Sequence, residues 1–165
     1  MFCVSLRILP RQVTNLFLVI ASAGALIACA SVKSYAQRPG PDTTPLFSDF
    51  KGVRIGMATE EARKKLGNPR DKGDDQDFYI FNDNEAVQVF YDKASKTVTA
   101  ISIDFMNGAN QIPAAKDVVG TDPEVKSDGS AYKMVRYPKA GYWVSYSRTA
   151  GKDPTITITM QKIDQ

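Results

Sequence analysis

Gly56-Met57-Ala58-Thr59-Glu60-Glu61-Ala62-Arg63-Lys64-Lys65-Leu66-Gly67-Asn68-Pro69 is the stretch from which the architecture is read. Thr59 stands in an N-cap position. Glu60 and Glu61 occupy the first turn, where the positive end of a helix dipole favours carboxylates, and Arg63, Lys64 and Lys65 fall in the last, which favours cations. Gly67 suits the left-handed position past a helix end, and Pro69 forbids the helix from resuming. Ala58, Ala62 and Leu66 recur every fourth residue, a narrow apolar stripe to lay on a sheet. Start, charge gradient and stop agree on one short helix.

Downstream, Asp71 to Asp77 reads as a polar loop, and Phe78 to Phe81 is a wholly apolar run. Val87, Val89 and Tyr91 alternate with Gln88 and Phe90; Thr99, Ile101, Ile103 and Phe105 alternate with Ala100, Ser102 and Asp104. Period two over such lengths means strands with one face on a core. Asn82 to Glu85 and Asp92 to Lys96 carry turn chemistry, so hairpins join them into a three-stranded meander.

The remaining chain reads as a second copy. Ile112 to Gly120, with Pro113 near its start, predicts another short helix. A polar loop from Asp122 to Ser130 follows, then strands at Tyr132–Tyr137, Tyr142–Tyr146 and Thr155–Met160. At one constant offset Val89 and Tyr91 fall on Val144 and Tyr146, and Ile101, Ile103 and Phe105 on Ile156, Ile158 and Met160. The expected fold is therefore α+β. It is a tandem repeat of a short helix plus a three-stranded antiparallel meander, over about 47–106 and 110–163, with the helices on one face of the sheet.

Upstream, residues 1–28 have the layout of a secretion signal: Arg7 and Arg11, no acid, then an apolar stretch from Leu16 to about Ala28. Leu26-Ile27-Ala28-Cys29 resembles a bacterial lipobox, which makes Cys29 the expected site of lipid attachment. Ser34-Tyr35-Ala36 offers ordinary cleavage after Ala36 instead. Residues 29–46, rich in proline and poor in large apolar side chains, are the expected tether to a folded body over 47–165.

Composition narrows the chemistry. The chain has no histidine, so the usual general base, the triads and the commonest metal ligand are all missing. If cleavage is at or after Cys29, Cys3 leaves with the signal and the mature body contains no other cysteine, which excludes thiol chemistry and an internal disulfide there. Asp71, Asp74, Asp75 and Asp77 cluster, but not at the spacing of a calcium loop, and they read as solvated. Removing Arg7 and Arg11 from the 21 basic residues leaves 19 against 18 acids, with no basic stripe for nucleic acid. Neither enzyme activity nor a cofactor is expected.

The motif Gly56-Met57-Ala58-Thr59-Glu60-Glu61, leading to Leu66-Gly67-Asn68-Pro69, a polar loop and an aromatic strand, resembles the BamE (SmpA/OmlA) family of outer-membrane lipoprotein domains. The tandem arrangement is similar to β-lactamase inhibitor protein, the BLIP-like fold. The resemblance implies helices on one face of an antiparallel sheet and the other face free to meet a protein. Two departures stand out: the inhibitor's disulfide cysteines are absent, and the second half lacks the Gly-Met-x-Thr opening.

If Val87, Val89, Tyr91, Tyr142, Val144 and Tyr146 point at the helices, then Gln88, Phe90, Trp143 and Ser145 point away. Tyr79, Phe81 and Arg136 are expected to extend that patch, since large aromatics among small polar residues serve as protein-binding anchors. The expected function is an exported, lipid-anchored, non-catalytic scaffolding module of the bacterial envelope. Its partner would be an envelope protein such as the β-barrel assembly machinery. The alternative is a secreted or periplasmic inhibitor, or a small-ligand binder using the same face.

Overall fold

A computed structural model of the chain describes residues 44–163. In chain order the elements are helix α1 (Thr59–Leu66) and strands β1 (Asp71–Lys72), β2 (Gln76–Asn82), β3 (Glu85–Tyr91) and β4 (Val98–Phe105). Helix α2 (Ala115–Val119), β5 (Ala131–Tyr137), a 3-10 turn (Pro138–Ala140), β6 (Tyr142–Arg148) and β7 (Ile156–Lys162) follow. All seven strands form one antiparallel sheet in the order β1-β2-β3-β4-β7-β6-β5.

This overturns the expected tandem repeat of helix plus three-stranded meander. The molecule is mainly a single seven-stranded sheet with two short, unequal helices. The last strand, β7, closes onto β4 from Ala100↔Gln161 to Phe105↔Ile156, so the two runs of strands share one ladder and one core. The first run has a fourth strand, β1, that the second lacks. The periodic match between the runs records a shared face: any two half-buried strands alternate in this way, whether or not they are copies.

The helices are seated differently. The start of α1 and the residues before it are stitched to the β3–β4 turn and the first residue of β4: Gly56 N–H donates to Val98 C=O (2.8 Å), Val98 N–H to Met57 C=O (2.8 Å) and Thr59 N–H to Lys96 C=O (2.9 Å). Thr59 is therefore not the cap but the first helical residue, and its hydroxyl donates to Lys96 C=O at 3.0 Å. Gly67 ends the helix at φ 86°, ψ −155°, positive φ but not left-handed helical, a region open in practice only to glycine. Helix α2 is shorter than the expected 112–120 span and rests on β6 and β5. Ahead of α1, Phe50 and Val53 make an isolated bridge.

Val87, Val89, Ile101, Ile103, Val144, Ile158 and Met160 are fully buried along one face, covered by Val53, Met57, Ala62, Leu66, Val118 and Val119. Each such side chain contributes about 1.5–3 kcal/mol by leaving water. The expected signal segment, Cys29 and the expected tether up to residue 43 lie outside the described residues. Among the described residues no helix is long and apolar enough to cross a membrane.

Candidate functional site

The sheet face away from the helices is built in registered rows. One row runs Gln76–Phe90–Ala100–Gln161–Trp143–Arg136 across six strands; the next runs Phe78–Gln88–Ser102–Thr159–Ser145–Met134. A third runs Ile80–Ala86–Asp104–Thr157–Ser147–Tyr132. The central strands β4 and β7 supply short or polar side chains. The flanks supply large ones: Phe78, Ile80 and Phe90 on one side, and Tyr132, Met134 and Trp143 on the other. The result is a trough with a polar floor between two apolar banks.

The floor is internally bonded. The Ser102 and Thr159 hydroxyls meet at 3.3 Å, Thr157 donates to Asp104 Oδ1 at 2.7 Å, and Ser147 to Thr157 C=O at 3.4 Å. Beside the Phe90 bank lies an open hollow of about 760 Å³, lined by Ala100, Thr159, Gln161 and the Lys93–Asp75 ion pair (2.9 Å). A second hollow, of about 740 Å³, lies at Phe78, Ile80 and Asp104. Both are wide and shallow, suited to a surface contact.

Of the residues singled out from the sequence, Phe90, Trp143 and Gln88 are half-buried on this face, and Arg136 is exposed opposite Trp143. Ser145 is on the same face but only 6% exposed. Tyr79 and Phe81 are not part of the trough. Tyr79 pairs with Val87, so strand alternation turns it inward, where it is 2% exposed. Phe81 packs against the core and stacks on Tyr79 (6.1 Å between ring centres), with Lys51 Nζ 4.7 Å from its ring centre. Ile80 (51% exposed) and Tyr132 (58%) were missed. The face of the first strand in each run is decided by its inward residues, and in β2 one of those is a charge.

That charge is Asp77, placed by the sequence reading in a solvated loop and found fully buried. Its carboxylate accepts from Arg63 Nε (2.8 Å) and Nη2 (3.0 Å), Gly73 N–H (3.2 Å), the Tyr91 hydroxyl (2.9 Å) and the Tyr79 hydroxyl (3.3 Å). Arg63 also donates to Gly73 C=O (2.8 Å) and Glu60 (2.8 Å), so it is no solvated helix end. Burial would raise the Asp77 carboxyl; the Arg63, Tyr91 and Gly73 hydrogen bonds together outweigh it and hold it below the usual carboxylate value. Burial first, then the Asp77 charge, pushes Tyr79 up to about 12, and burial and the Asp77 hydrogen bond raise Tyr91 further. With five donors on two oxygens, Asp77 has no lone pair to spare for a substrate. It is a clasp that ties α1 to the sheet.

Set against family models, curated proteins and solved structures, the chain matches none.

Proposed function

We propose that the chain works by binding and not by catalysis, docking the trough side of its sheet on another protein of the bacterial envelope after export. The observation that carries this reading is the trough itself: a self-bonded polar floor centred on β4 and β7 between two banks of aromatic and aliphatic side chains, the whole face spanning six strands. Five inter-strand spacings make it about 24 Å wide. That width suits a share of the roughly 800 Å² that one partner gives to a stable interface better than it suits a small ligand. Aromatic side chains ringed by bonded polar groups are the usual energetic centres of such contacts. The resemblance of Gly56–Pro69 to the BamE (SmpA/OmlA) motif, and of Leu26–Cys29 to a lipobox, supports an envelope setting with Cys29 as the lipid anchor.

The test is photo-crosslinking in intact cells from position 90 and, as a control, from Lys116 on α2. Crosslinking to one envelope protein from position 90 alone, abolished by Trp143→Ala, is the expected result. That substitution should weaken binding by about 2 kcal/mol or more with little change in unfolding. Capture of a hydrolase would assign the inhibitor role. Equal crosslinking from both positions, or unfolding of Trp143→Ala, would defeat the docking reading.

A further inference from the structure

The two edges of the sheet are unlike. One ends in β1, two residues long; the other ends in β5, seven residues in unbroken register with β6 from Ala131↔Arg148 to Tyr137↔Tyr142. Sheet edges are commonly blunted by shortness, charged side chains, bulges, proline or a covering segment, and on β5 the charges Lys133 and Arg136 leave the edge open only to a strand of opposite charge. Among the described residues, only the first residues of β5 are covered, through the Val125↔Ala131 bridge and the Lys126 N–H bond to Ser130 C=O (2.8 Å). Among the described residues no strand lies beyond the rest of β5.

The hydrogen-bond phase of that edge can be read from the neighbouring ladder. Ile163 N–H donates to Gly141 C=O (2.8 Å), which makes 141 and 163 a hydrogen-bonded pair between β6 and β7. Alternation along β6 then turns Trp143 and Ser145 toward β7, and Tyr142, Val144 and Tyr146 toward β5. Their partners Tyr137, Val135 and Lys133 give their N–H and C=O groups to β6. Met134 and Arg136 are left with both backbone groups aimed out of the sheet. The side chains beside them carry one sign of charge: half-buried Lys133 on the helix face, whose ammonium donates to the neutral Thr121 hydroxyl, Arg136 on the trough face, and no acid from Ala131 to Gly141.

We propose that the β5 edge takes an extended segment of a partner protein as an eighth strand, and that this segment is acidic. Its main chain would bond to Met134 and Arg136. Lys133 and Arg136 lie three residues apart on opposite faces, so the complementary segment carries two carboxylates three residues apart, one for each face. A second copy of this chain fits less well, because pairing β5 with itself brings Lys133, Arg136 and their counterparts together. The proposal does not depend on the trough: the strand is recognised by backbone and charge, the trough by side chains.

The experiment uses the full chain and a capped eight-residue peptide of alternating valine and threonine, with glutamates three residues apart, followed by amide NMR. The Met134 and Arg136 amides should shift and become protected from exchange, while those of Lys133 and Val135, already bonded to β6, should not. Methylating alternate peptide nitrogens should abolish binding in one phase and spare it in the other, as strand pairing requires. Met134→Pro removes an outward N–H without touching the β6 ladder, so it should keep the fold and weaken binding at least tenfold. Lys133→Glu with Arg136→Glu should switch preference to the same peptide carrying lysines. Absence of binding at millimolar peptide, indifference to nitrogen methylation, or a dimer that Met134→Pro dissolves would each overturn the acidic-strand assignment.

Discussion

The first four strands with α1 and the last three with α2 lie in one sheet but are fastened by different means. In the first region, a buried carboxylate gathers an arginine, two tyrosine hydroxyls and a backbone N–H, and so locks a helix whose own apolar stripe is narrow. In the second, α2 has only five residues, and Val118 and Val119 hold it by packing. Tyr137, Tyr142 and Tyr146 are buried there, and among the described residues none of their hydroxyls donates to a carboxylate as Tyr79 and Tyr91 do. Packing degrades gradually when trimmed, whereas a buried ionic cluster fails as a unit, because each partner removed leaves others desolvated and unpaired.

The largest expected effect is therefore Asp77→Ala, which strands Arg63 and both hydroxyls and should cost about 3–5 kcal/mol in urea unfolding. The counterpart in the second region, Val118→Ala, should cost about 2 kcal/mol. If the two costs are equal, the contrast fails. Gly73 sharpens it: its N–H and C=O both serve the clasp, and a Cβ there would sit 2.7 Å from the Gln76 carbonyl oxygen. Gly73→Ala should destabilise by about 1–3 kcal/mol and release α1 amides to hydrogen exchange while leaving β5 to β7 protected. Removing one hydroxyl, Tyr91→Phe should cost about 1.5–3 kcal/mol because its acceptor is charged. Tyr146→Phe, which removes no charged acceptor, should cost less, at most about 0.5–1.5 kcal/mol.

The smallest effect is seen in pH. The Asp77 carboxyl is depressed in the folded state from an ordinary value of 3.8, so its contribution is fully present above that value and fades as pH falls through the folded-state value. The stability gap between the wild type and Asp77→Asn should therefore be constant near neutrality and narrow below about pH 4. A gap that widens on acidification would show that Asp77 is not ionised in the fold.

The opening Gly56–Pro69 stretch was legible as a helix because its charge gradient and terminating glycine act locally. Even there Thr59 bonds not to its own helix but to Lys96, on a turn 37 residues away. Phe90 and Trp143 were placed on the open face because strand alternation needs no tertiary knowledge. Asp77 was misread because a carboxylate among Asp71, Asp74 and Asp75 gives no local sign of having a buried cation waiting. Tyr79 and Phe81 were misplaced with it, since their facing follows from which way Asp77 turns.

What the sequence by itself determined is alternation: which residues of each strand share a side, a consequence of the two-residue repeat of extended chain. Only the tertiary structure decided that β7 closes on β4, which makes one sheet of what reads as two copies. It also decided that Arg63, 14 residues away, makes the interior habitable for Asp77. Both depend on contacts between residues far apart in the chain, where the free energy of burial and of charge pairing is settled.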